Sequence, residues 1–175
     1  MDLEAIARWI AATPLSALIQ ANEVWFIPSV QSIHIAGIGV VLACVLMMAL
    51  RVLGLAGADQ SVLQTQRRFG PWMIGALWLL LATGLLMIIG EPERELVTFS
   101  FWAKMTLVAT GTVIALVFQR SVRASGPDWE NRVGAHLSVK VGAVLTVVMW
   151  LAVVFLGRLI AYDHIWGALS PSIKQ

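Results

Sequence analysis

Three histidines, His34, His136 and His164, are the side chains best suited to chemistry, and each lies near an edge of a long apolar block. His34 sits inside "FIPSVQSIHIAGIGVV", one helical turn after Gln31. An imidazole in hydrocarbon is costly, so a function is the default expectation for it. His136 stands between Arg132 and Lys140 at four-residue intervals, a single basic stripe if the segment is helical. His164 lies in the polar stretch "AYDHIWG". Neutral imidazole is the usual protein ligand of haem iron, copper and zinc. Arg and Lys near a membrane surface suit the carboxylates of haem propionates.

Elements must bring these groups together. The chain has 175 residues, of which 59% are hydrophobic and 13% charged, where a soluble domain has about 25% charged. The apolar residues fall in continuous blocks of membrane-spanning length, so helical spans are expected and a closed barrel is excluded. We expect an all-α integral membrane four-helix bundle with N-terminal amphipathic surface helices. The expected spans are 27–52, 71–89, 100–119 and 133–161, within a membrane domain at 25–166, with 167–175 a tail. Pro71 is expected at a helix start. Residues 1–24 are expected to form interfacial helices: Leu3, Ile6, Trp9 and Ile10 share a face, Glu4 and Arg8 pair, and Thr13-Pro14 opens a second short helix.

Lys and Arg set the orientation. Arg51, Arg67, Arg68, Arg120, Arg123 and Arg132 fall at one end of the spans, whereas Glu91, Glu93, Glu95 and Asp163 collect at the other. The expectation is a multi-pass protein of the bacterial inner membrane with both termini periplasmic. The "EPERE" acids are expected to be solvated. The opening "MDLEAIARWIAATP" lacks a basic n-region, so insertion is expected through the first span. Small residues at Gly39 and Ala43, Gly111 and Ala115, and Gly134, Ser138 and Gly142 mark expected packing seams.

Antiparallel spans allow a depth ruler of about 1.5 Å per residue. His34 then lies roughly 10 Å below the periplasmic boundary, level with Lys104 and Met105. Arg158 and His164 close the same end, so Gln31, His34, Lys104, Arg158 and His164 form an expected periplasmic cluster. Arg132, His136, Lys140, Met47, Met48 and Met73 gather toward the cytoplasm. His34 and His136 differ in depth by about 25 Å and cannot share one iron. His34 with His164 would hold one haem b. A second at His136 would need Met73 or Met48, an open position, or a ligand from another subunit; Met105 is a weaker axial candidate near His34. Copper at His34 and His164 is a variant. The plainer alternatives stay open: a helix–helix hydrogen bond for His34, snorkelling Lys104, Lys140 and Arg158, and methionines as core filler.

Other chemistry is sparse. The single Cys44 permits no intramolecular disulfide. There is no phosphate loop, dinucleotide fingerprint or nucleophile elbow, and with a net charge of +2 and no basic run nothing points to nucleic acid. Four spans without an evident inverted repeat argue against a classical transporter.

The segments "SIHIAGIGVV", "RVLGL", "TGLLMIIGEPE", "FSFWAKMTLV" and "GRLIAY" occur in an order that resembles an uncharacterised family of small bacterial inner-membrane proteins, with an architecture similar to four-helix membrane b-type cytochromes. The resemblance implies a four-helix module and picks out His34, Lys104, Arg158 and Tyr162. The function expected from the residues is a haem-binding membrane protein, a b-type cytochrome exchanging electrons with a quinone or a periplasmic redox protein. The alternatives are a non-catalytic anchor or accessory subunit, and a small-solute channel. Homo-oligomerisation fits each of them.

Overall fold

A backbone crossing hydrocarbon must satisfy its own N–H and C=O groups, and continuous apolar runs do so as helices. The computed structural model describes residues 3–57, 59–125 and 137–159. Its helices are α1 (Leu3–Ala11), α2 (Pro14–Ala21), α3 (Glu23–Leu53), α4 (Val62–Gly90), α5 (Pro92–Leu96), α6 (Phe99–Ser125) and α7 (Leu137–Leu159), with no strand among the described residues. The four long ones, α3, α4, α6 and α7, are each apolar and long enough to cross a membrane. The protein is an all-α membrane bundle.

Local sequence fixes the ends. Thr13 caps α2, its Oγ1 accepting from the Ser16 N–H at 3.3 Å, with Pro14 in the first turn as expected. α3 stops at a Schellman motif: Gly54 has φ 74°, its N–H reaches Arg51 O, and the Leu55 N–H reaches Leu50 O at 2.9 Å. α4 begins with a capping box, Ser61 and Gln64 each accepting from the other's backbone N–H at 3.1 and 2.7 Å. Pro71 therefore lies inside α4, not at its start. The capping box satisfies the orphan N–H groups nine residues earlier, and the helix runs through the proline. Pro28 is likewise internal to α3, which begins at Glu23. Thr98 caps α6, accepting from the Phe101 N–H at 3.4 Å.

α3 packs most extensively on α4, and α7 lies against both α3 and α6; α4 and α6, though neighbours along the chain, touch sparsely. α1 and α5 pack on each other and α2 packs on α4, forming a cap over one end of the bundle. Ala7 and Ile19 are the buried anchors of this cap. The buried side of α1 is centred on Ala7, and Trp9 is 72% exposed, so the expected apolar face is rotated away from Trp9. Arg8 Nε donates to the Glu4 backbone carbonyl at 3.3 Å.

Close approaches occur at Gly37 against Leu80, Gly90 against Ile27 and Ile19, and Gly111 against Met149 and Trp150. Of the expected seams, Gly111 and Ala115 are buried, whereas Gly39, Ala43, Ser138 and Gly142 are exposed and a Cβ on Gly39 or Gly142 would meet nothing. Gly134 lies outside the described residues. The core of Val41, Cys44, Val45, Met73, Ala76, Ala115, Trp150 and Val153 fills the bundle centre.

Candidate functional site

His34 is half-buried on α3 and faces α4. Its Nδ1 lies 2.7 Å from Thr83 Oγ1. Thr83 is 5% exposed, and its Oγ1 also lies 2.7 Å from the Leu79 carbonyl oxygen. Two oxygens at that separation need a proton between them, and a carbonyl has none to give. The Thr83 hydroxyl thus donates to Leu79 O and can only accept from the ring. His34 therefore carries a proton on Nδ1, and as a neutral ring it holds its lone pair on Nε2.

Gly84 completes the pocket for the ring. A Cβ there would stand 3.7 Å from His34 Cε1, the carbon between the two ring nitrogens. Glycine keeps that edge of the imidazole free of a neighbouring side chain.

Lys104 on α6 is half-buried. Its Cε and Nζ lie 3.8 Å from the position a Cβ on Gly157 would take, so the side chain runs along the C-terminal part of α7. Its ammonium is within electrostatic reach of both His34 and Glu95. Glu95 is 5% exposed, which corrects its reading as a solvated loop acid. The short α5 turns it inward beneath α1, while Arg94 and Glu91 form an exposed ion pair at 2.7 Å. Burial pushes the Glu95 carboxyl up; the charges of Lys104 and Arg94 pull it down and that of Glu91 pushes it up.

At this end of the bundle α3, α4, α6 and α7 bring His34, Thr83, Lys104 and Gly157 together. Arg158, next to Gly157, is exposed. Gln31 is exposed too, and the hydrogen bond of His34 runs to Thr83 on the neighbouring helix α4. Met105 is half-buried beside Lys104. His164, His136, Arg132 and Tyr162 lie outside the described residues. Met73 is buried in the core, eleven residues from Gly84 and so roughly 16 Å along α4 from the His34 level. Lys140 is half-buried near the start of α7, at the opposite end from the cap.

Sequence reasoning missed Thr83, although the same ruler finds it: it stands six residues before Ile89, much as His34 stands seven after Ile27. It also missed Gln66 and Gln119, buried at 1% and 6% exposure. Gln66 Nε2 and Oε1 and Gln119 Nε2 have no hydrogen-bond partner within the described residues.

Among the described residues no group of three or more His, Cys, Asp or Glu side chains converges. The chain offers one imidazole near a cation, Lys104, which in turn interacts with the buried Glu95 carboxyl. That arrangement can ligate a metal already held by other donors, accept a hydrogen bond, or exchange a proton. No curated protein and no solved structure matches the chain. The sequence profile of one family matches residues 8–163, most of the chain from α1 to beyond α7. The chain belongs to DUF6644, a family of unknown function.

Proposed function

We propose that this is a membrane electron-transfer protein of the b-type cytochrome class, with His34 Nε2 as axial ligand to a haem near the capped end. The observation that carries the reading is the His34–Thr83 hydrogen bond. A ligating histidine characteristically donates one ring N–H to a fixed acceptor and presents the other nitrogen bare, which is the state Thr83 imposes. The donor set also suits haem better than a lone ion. A porphyrin supplies four of its own nitrogens, so a single protein imidazole is a sufficient anchor; copper would find one nitrogen and no converging partners among the described residues.

Bound haem would supply one-electron chemistry. The residues of the chain do the rest. Thr83 fixes the ring and its tautomer, Gly84 leaves the ring edge open, and Lys104 offers a cation to a propionate. Glu95, its carboxyl pushed up by burial, lies within electrostatic reach of Lys104. His164 would be a second protein ligand to that haem. His136 is the proposed site of a second haem, whose remaining position would be open or taken by another subunit. A quinone or a periplasmic redox protein is the proposed exchange partner.

The proposed location is the bacterial inner membrane with the cap in the periplasm. Its support is charge: exposed Arg67, Arg68, Arg120 and Arg123 lie at the end opposite the cap.

The test is a visible spectrum of the detergent-purified protein from haem-replete cells, oxidised and dithionite-reduced. A reduced haem b band that His34→Ala abolishes or shifts is the expected result. A colourless wild-type preparation refutes the reading. It would leave the second one, a non-catalytic anchor or accessory subunit, which is favoured by the apolar exposure of Trp9, Leu15, Leu18, Val24 and Trp25 on and beside the cap.

A further inference from the structure

In the half of the bundle away from the cap, α3, α4, α6 and α7 enclose a cavity of about 260 Å³. Its walls are apolar, apart from the amides of Gln66 and Gln119 and the hydroxyl of Thr146. Thr146 is already committed, donating to Gly142 O at 2.8 Å. Gln66 Nε2 and Oε1 and Gln119 Nε2 are not. They converge over Gly70: a Cβ there would stand 2.6 Å from Gln66 Nε2 and 3.7 Å from Gln119 Cδ. Glycine is what lets the Gln66 amide fold back against its own helix.

Unpaired buried amides cost free energy, about 1–3 kcal/mol each, and glutamine is a poor choice for lining an apolar void. The arrangement makes sense if an occupant pairs with them. Gln66 and Gln119 Nε2 offer N–H donors to a carbonyl, and Gln66 Oε1 offers an acceptor to a hydroxyl. Among the described residues no charged side chain lines the cavity, which suits a neutral occupant. Phe69, Phe118, Met48 and Met73 give it aromatic and thioether walls, which suit a flat ring. The volume is just below the roughly 300–1,000 Å³ of ordinary small-molecule sites, room for a ring head but not for a long tail. Ile114 and Gly142 form part of the lining and are exposed on the bundle surface, a low rim over which a tail can pass into lipid.

We propose that this cavity binds the head of a lipid-soluble quinone, with Gln66 and Gln119 as its hydrogen-bonding residues. A primary amide pair serves both redox forms, donating to quinone carbonyls and accepting from quinol hydroxyls. The site would supply the quinone exchange of the cytochrome reading without resting on it, because binding is measured with no haem signal.

The experiment titrates the full chain in nanodiscs with decylubiquinone, against empty nanodiscs and against decylbenzene, which has a ring and tail but no polar head. Saturable binding of decylubiquinone, at least tenfold tighter than decylbenzene, is expected. Gln66→Leu and Gln119→Leu should each weaken it about tenfold, the equivalent of one hydrogen bond, and should leave the melting temperature equal or higher. No saturable excess over empty discs overturns the proposal. So does decylbenzene binding as tightly, or both variants binding like wild type. Should a variant fail to fold, the wild-type comparison of the two ligands decides alone. A colourless protein that binds decylubiquinone sinks the haem reading only; a red protein that does not bind it sinks only this one.

Discussion

Replacing Thr83 by valine is the sharpest probe of the His34 site. The change keeps the branched shape and swaps the hydroxyl for a methyl. Two hydrogen bonds disappear, His34 Nδ1–H to Oγ1 and Oγ1–H to Leu79 O, both 2.7 Å. The second costs little, since the Leu79 carbonyl keeps its place in the helix ladder. The first leaves the Nδ1–H without a partner. A typical net hydrogen bond contributes about 0.5–1.5 kcal/mol, and interhelical side-chain bonds in membrane proteins average about 0.6 kcal/mol. Because His34 is only half-buried, lipid headgroups or water can partly replace Thr83, so the lower half of that range applies. The substitution also adds apolar burial at a 5% exposed position, which offsets the loss and hides it in a single-mutant measurement. A double-mutant cycle with His34→Phe removes the offset. Unfolding in mixed micelles should give a coupling of about 0.6–1 kcal/mol. Nitrogen NMR of ring-labelled histidine should show the wild-type His34 proton on Nδ1 and, in Thr83→Val, a shift toward the Nε2–H tautomer. A coupling near zero, or a wild-type ring already protonated on Nε2, would refute the argument from the hydroxyl.

Glu95 has a linkage signature. Its folded pKa is raised above the ordinary carboxylate value, chiefly by burial, so the folded state binds the proton more tightly than the unfolded one. The stabilisation is complete below the unfolded pKa and is lost as pH rises through the raised folded pKa; melting curves of Glu95→Gln should lack that decline, and an equal decline in both proteins would assign it elsewhere. Ser61→Ala breaks the α4 capping box and should cost about 1 kcal/mol, read as a lower melting temperature that Ser61→Asp restores. Gly90→Val places a methyl where a Cβ already stands 2.7 Å from Ile27 Cδ1 and 3.0 Å from Ile19 Cγ2. It should cost about 1–3 kcal/mol by overpacking and loosen α2, seen as faster proteolytic release of the N-terminal segment.

The long spans were legible because hydrophobic blocks and short charged breaks follow directly from the bilayer. Their ends were less so. Pro71 resembled a helix start, yet "SVLQ" at 61–64 carries the capping-box pattern and was the better signal. Composition treats "EPERE" as uniform, whereas about half a helical turn separates an exposed Glu93 from a buried Glu95. The His34, Lys104 and α7 level followed from antiparallel depth alone, and Thr83 lay within reach of the same reasoning. Gln66 and Gln119 did not. Their significance depends on which helix faces turn inward and on the space left over Gly70, and neither is set by spacing along the chain.

The sparse contact between α4 and α6 has a consequence for biogenesis. The bundle is two helical hairpins, α3 with α4 and α6 with α7, joined through α3 and α7. His34 and Thr83 both belong to the first hairpin. Chains emerge from synthesis N-terminus first and fold in units, so the imidazole can meet its acceptor before the second hairpin has packed against the first. The ring is oriented by the half of the protein that is made first, and the second hairpin arrives at a histidine whose free nitrogen is already chosen.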